Sequence, residues 1–157
     1  MHRQPVLVRA CLALSLCAAP FLVGCDADED PATFADAETF EDGVTKDTDG
    51  GAFRIMLESR EGLALGPNTL VVHVGFHDPM DPEGPGIGVP GADISLDAHM
   101  PAGAAGLDGL DATYLGEGRY LIEDLDLSEA GVWQLDLAIA VGETIDESVA
   151  FAFEIDA

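Results

Sequence analysis

Past residue 25 the sequence has no cysteine; the three it contains are Cys11, Cys17 and Cys25. A domain formed by the remainder has no disulfide to draw on and must hold by burial alone. Positive charge is nearly as scarce, with six Lys and Arg against 30 Asp and Glu. Two of the six, Arg3 and Arg9, precede Cys25 and no acidic residue does, so the part after it sets four cations against 30 anions, a net charge of −26. Such a surface repels nucleic acid and anionic membrane surfaces, and reads as salt-tolerant solvation before it reads as cation capture.

Other absences narrow the chemistry. No Gly-rich phosphate loop opens a helix, and no quartet of ligands has zinc spacing. No basic, aromatic-interleaved face offers itself to nucleic acid. Ser59, Ser95, Ser128 and Ser148 stand in no strand-turn-helix elbow and beside no histidine motif, and no cysteine nucleophile follows residue 25. These features point away from an enzyme.

What is present begins with residues 1–24, MHRQPVLVRACLALSLCAAPFLVG. Two arginines, an apolar stretch from Ala10 to Val23 and small residues at its end match the three regions of a signal peptide. The stretch is too short and too lightly flanked for a permanent span. Its close, Leu22-Val23-Gly24-Cys25, resembles the bacterial lipobox. That resemblance implies removal of residues 1–24, a thioether-linked lipid on Cys25 and an acylated (palmitate-type) new N-terminus, which together anchor stably in a bilayer. Asp26 after the cysteine would favour the inner membrane under the sorting rule of enteric bacteria.

Residues 25–51 read as a lipidated cysteine and a disordered acidic tether, because ten acidic residues against one lysine leave too little apolar surface to offset the entropy of ordering. Asp47-Thr48-Asp49-Gly50 follows the opening of a calcium loop, but the bidentate glutamate and flanking helices of an EF-hand are missing. From Ala52 the text turns to period-two alternation bounded by Gly, Pro and Asp, so the domain is expected over 52–157.

Seven strands follow from that alternation. Phe53, Ile55 and Leu57 should face inward on the first, and Leu70, Val72, Val74 and Phe76 on the second, with His73 and His77 outward. Ala92, Ile94 and Leu96 alternate with Asp93, Ser95 and Asp97 on the third. A short LDATYL pairs with RYLIED across Gly116-Glu117-Gly118. Trp133, Leu135, Leu137 and Ile139 share a face of the sixth, and Val149, Phe151, Phe153 and Ile155 a face of the last. The fold class is therefore all-β, an immunoglobulin-like antiparallel β-sandwich of about seven strands, with a small closed barrel as the alternative.

The run from Met100 to Ile139 contains Met100-Pro101, then Gly116, Gly118, Arg119 and Tyr120, then Ala130-Gly131 and Trp133; upstream stand Gly66-Pro67-Asn68-Thr69-Leu70 and Val89-Pro90-Gly91-Ala92. In this pattern the chain resembles the YtkA-like (FixH-related) domain over about residues 52–155. The resemblance implies an extracytoplasmic β-sandwich, often lipid-anchored, with relatives linked to copper or other cation handling and to cytochrome oxidase maturation. The family's Met-Pro turn usually continues into a His-Gly-His-like stretch, whereas here Ala102-Gly103-Ala104-Ala105-Gly106 follows.

Periplasmic copper sites use histidine nitrogen and methionine sulfur, which singles out His73, His77, Met80, His99 and Met100. If the strands on either side of residues 78–89 run antiparallel, His77 and His99 lie roughly 25–30 Å apart at about 3.3 Å per residue, and His73 and His77 about 13 Å apart. Two half-sites remain: His77 with Met80, and, less favoured, His99 with Met100, where period two turns one side chain out and the other into the core's edge. Asp78, Asp81, Glu83, Glu117, Glu143, Asp146 and Glu147 should gather as an acidic rim around His77.

The preferred functional expectation is a non-catalytic accessory module at the cell envelope, anchored in the lipid bilayer and facing the periplasm or the cell surface, which presents a sandwich surface to an envelope protein partner. The alternatives are a copper or cation chaperone acting through His77 and Met80, and a structural acidic envelope lipoprotein.

Overall fold

The computed structural model describes residues 37–82 and 84–157. The expected signal peptide, Cys25 and the first part of the expected tether lie outside them. The described residues hold ten strands and no helix: β1 (Val44–Asp47), β2 (Phe53–Glu58), β3 (Gly66–Phe76), β4 (Ile87–Gly88), β5 (Ala92–His99), β6 (Gly106–Asp111), β7 (Thr113–Gly116), β8 (Arg119–Leu127), β9 (Gly131–Val141) and β10 (Ile145–Ile155).

They form two antiparallel sheets, one ordered β1-β2-β3-β8-β7 with β4 added on β3, the other ordered β10-β9-β5-β6. Leaving out β1 and β4, the orders β2-β3-β8-β7 and β10-β9-β5-β6 are the A-B-E-D and G-F-C-C′ arrangement of an immunoglobulin-like sandwich. Burial follows the pleat. Phe53, Ile55, Leu57, Leu70, Val72 and Val74 from the first sheet meet Ile94, Leu96, Trp133, Leu135, Leu137, Ile139, Val149, Phe151 and Phe153 from the second. Each such side chain contributes roughly 1.5–3 kcal/mol relative to staying in water, and with no disulfide this is the main force holding the sheets together.

Three expectations change. The segment LDATYL is not one strand: β6 pairs with β5 in the second sheet and β7 with β8 in the first, so the chain switches sheets at Ala112. β4 is a new two-residue piece that pairs with β3 at Gly75 and Phe76, beyond the point where β8 begins at Arg119 opposite His73.

The third change is the domain's beginning, expected at Ala52. Residues 44–47, placed in the tether by composition, pair with β2 from Val44↔Leu57 to Asp47↔Arg54. Glu38 already bridges Phe153 in parallel, donating to the Ala152 carbonyl at 3.0 Å and accepting from the Glu154 amide at 3.0 Å. Further along, the Asp49 amide donates to the Ser148 carbonyl and the Gly50 amide to the Glu147 carboxylate, both at 2.8 Å. Lys46 donates from Nζ to the Ala150 carbonyl at 2.7 Å and lies 5.9 Å from the Phe151 ring centroid. The segment thus ties the open side of the first sheet to the edge strand β10. Composition missed it because an edge strand needs one neighbour and only a few apolar contacts, here Phe40 and Val44 against the core.

Candidate functional site

The loop end of the sandwich is assembled by register. β2 starts with Phe53 opposite Phe76, the last residue of β3, and β5 starts with Ala92 opposite Val141, which also pairs with Ile145 at the start of β10. The β1–β2 turn, the β3–β4 loop, the β7–β8 hairpin and the β9–β10 turn therefore share one end. The expected rim residues Asp78, Asp81, Glu117, Glu143, Asp146 and Glu147 all stand on these connections or at their margins; Glu83 lies outside the described residues.

Tyr120 fastens this end. Its hydroxyl donates to the Val89 carbonyl at 2.7 Å and accepts from the Ala92 amide at 2.9 Å, so one buried phenol on β8 holds the entry to β5 in the opposite sheet. Burial pushes its ionisation above the ordinary phenol value, which keeps the hydroxyl a donor. The hydrogen-bonding role of Tyr120 was invisible in the sequence, where it figured only as part of a hairpin motif.

The histidines are dispersed. His73 points to the outer face as the alternation requires, yet is only 8 % exposed. Met56 and Arg119 are its cross-strand neighbours, and Nε2 lies 3.0 Å from the Glu117 carbonyl of the hairpin. That carbonyl can only accept, so Nε2 is the donor of this bond. Nδ1 meets no hydrogen-bond partner among the described residues, and neither does Arg54 Nη1. His77 turns towards Asp47, Nδ1 to Oδ1 at 3.8 Å. Asp47 is held by Arg54 through Nε at 2.8 Å and Nη2 at 3.3 Å. This hydrogen bond keeps the Asp47 carboxyl below its ordinary value and raises the Arg54 guanidinium.

Met80 stands 91 % exposed on the β3–β4 loop, its amide donating to the Asp78 carboxylate at 2.8 Å. His99 closes β5 at the opposite end, with Nδ1 3.4 Å from Asp136 Oδ2. Met100 instead packs against the core. A Cβ on Gly131 would come within 2.8 Å of the Met100 methyl, so the Met-Pro turn and the Ala-Gly-x-Trp start of β9 are packed on each other. Trp133 anchors that start through Nε1, which donates to the Glu129 carbonyl at 2.8 Å. Among the described residues no three His, Cys, Asp or Glu side chains are grouped to hold a metal ion.

Two further features complete the surface. An open hollow of about 400 Å³ on the outer face of the second sheet has Ala138 and Ala140 as its floor and Asp93, Asp111 and Asp146 at its edge. At the loop end, Phe76 was expected inside but is 48 % exposed. Its ring lies 5.6 Å from that of buried Phe53, and across β4 it is paired with Ile87. The row Phe53, Phe76, Ile87 thus runs from the core out to the open end. Period two specified the face of Phe76 correctly but not whether anything lay over it.

No family model, curated protein or solved structure matches this chain.

Proposed function

We propose that this chain is a non-catalytic accessory lipoprotein of a bacterial cell envelope, a YtkA-like sandwich anchored through Cys25 that presents one of its surfaces to a protein partner. The order of its parts carries this reading: a charged, apolar and small-residue leader ending on Leu22-Val23-Gly24-Cys25, followed by an immunoglobulin-order sandwich whose first bridge is made at Glu38. Glu38 lies thirteen positions after Cys25, so the chain between them spans at most ~45 Å. A partner within that distance of the membrane is in reach, while the net charge of −26 after residue 25 keeps the domain off an anionic lipid surface. Apart from His73 Nδ1 and Arg54 Nη1, the buried polar side chains described above pair with one another or with backbone, which suits a scaffold better than a reaction centre.

Mass spectrometry of the protein extracted from membranes tests the anchor. The expected species begins at Cys25 with a diacylglyceryl group and an amide-linked acyl chain, and Cys25→Ala releases the protein from the membrane fraction. An intact Met1 with an unmodified Cys25 would overturn the proposal. Copper or cation handling at His77 and Met80 is the second reading, favoured by the two exposed soft ligands on one loop. Silver titration separates the two: a chaperone binds one ion saturably, and loses it in the His77→Ala, Met80→Ala double variant, whereas an accessory module shows no such loss.

A further inference from the structure

Six large hydrophobic side chains stand exposed among the described residues, and five of them belong to one corner of the sandwich. Phe76, Met80 and Ile87 lie on the β3–β4 segment, the last 72 % exposed, and Tyr114 and Leu115 lie on β7 where it enters the hairpin; Leu65 alone is elsewhere. The two stretches touch, because Gly88 of β4 lies against the backbone of Glu117 and Gly118 with no room for a Cβ between them.

The corner is built rather than loose. Gly75 and Gly86 bring the returning segment onto β3 backbone to backbone, at a closeness that a side chain on either would prevent. The Val89 amide donates to the Val74 carbonyl at 2.9 Å and the Val74 amide to the Gly118 carbonyl at 2.8 Å. Ile87 and Phe76 are consequently held side by side on a ladder, and binding there would cost little ordering entropy. Asp78 and Asp81 follow Phe76 on the same loop and Glu117 stands on the hairpin that Gly88 touches, with Arg54, which feels the Asp81 charge, and Arg119 as the cations at this end. An apolar centre inside a charged margin is the anatomy of a protein interface.

We infer that this corner docks a basic protein surface that places an apolar side chain against Phe76 and Ile87. The choice of occupant follows from charge. A second copy of the chain, an anionic lipid headgroup and nucleic acid all meet repulsion from a domain that sets four cations against 25 anions over residues 37–157, whereas a basic surface is attracted and steered to it. The inference rests on the accessory-module reading and adds to it the docking face and the partner's chemistry.

Site-specific photo-cross-linking of the full chain in the cells that make it tests both. The probe is placed singly at Ile87 and Leu115 in the corner, at Leu65, and at Ala138 on the outer face of the second sheet. The expected result is an adduct at Ile87 and Leu115, at least tenfold stronger than at the other two positions, with a protein whose cross-linked segment is net basic. Ile87→Asp should reduce the Leu115 adduct at least tenfold while leaving the melting temperature of the protein unchanged. Adducts with lipid, with a second copy or with an acidic segment would overturn the inference. Adducts confined to Leu65 or Ala138 would overturn the corner and leave the accessory reading standing; no protein adduct at any position would overturn both.

Discussion

The β10 edge and the β3–β4 corner face the same problem and resolve it in opposite ways. Along β10, Phe151 and Phe153 would lie open at the side of the sandwich, and residues 38–50 are laid over them. Phe40 meets Phe153 edge to face at 5.2 Å, and Lys46 bonds the Ala150 carbonyl beside Phe151. At the corner, Phe76 and Ile87 form an equally apolar pair, and nothing among the described residues covers them. A chain that commits an acidic stretch to sealing one apolar edge, yet holds another exposed on rigid backbone, separates burial that serves stability from exposure available for contact.

The largest effect that would break this contrast comes from removing the seal. A chain beginning at Ala52, where composition places the domain boundary, loses β1, the Glu38 bridges and the cover over Phe151 and Phe153. Against a chain beginning at residue 37 it should be less stable by about 3–5 kcal/mol, comparable to truncating a large core side chain, or fail to fold; equal urea midpoints would show that the segment is ornamental.

Tyr120→Phe should come next. It leaves the Ala92 amide and Val89 carbonyl without their shared partner at the base of the corner, a loss of about 1–3 kcal/mol. The amides of residues 87–92 should then exchange hydrogen faster than those of β9 and β10, and uniform acceleration across both sheets would mean that the phenol does not fasten the corner in particular.

Asp47→Asn has a smaller, pH-dependent consequence. The folded carboxyl titrates below its ordinary value because Arg54 hydrogen-bonds it, so its contribution is complete above the unfolded value of about 4 and disappears as pH falls through the lower folded value. Asp47 is about half exposed, which limits the difference at pH 7 to under about 1 kcal/mol. Denaturation curves of the two proteins should converge in acid; a gap that stays constant as the pH falls would remove the ion pair from the account.

The smallest effect sharpens the contrast most. Ile87→Ser should change stability by no more than about 0.5 kcal/mol, as for a surface position outside any packed contact. A loss resembling that of a core residue would mean that the corner is part of the core and not a face held for contact.

The alternation of side chains allowed most strands and their inward faces to be read directly. Six of the ten strands, β2, β3, β5, β8, β9 and β10, carry the expected residues, and Phe53, Ile94, Trp133 and Phe151 are buried as period two requires. The candidate site was less legible. His77 and His99 lie at opposite ends as counted, but the burial of His73, the exposure of Phe76 and the bridge made by Tyr120 depend on which distant segment passes over each.

By itself, then, the sequence determined the strand character, the direction of each side chain and the acidic surface, because pleat and charge are properties of neighbouring residues. Only the tertiary structure decided where the domain starts and which apolar residues stay uncovered. The reason is visible in the bond from Lys46 to Ala150, formed across 104 positions of chain. Coverage is set by contacts between segments that no local pattern links.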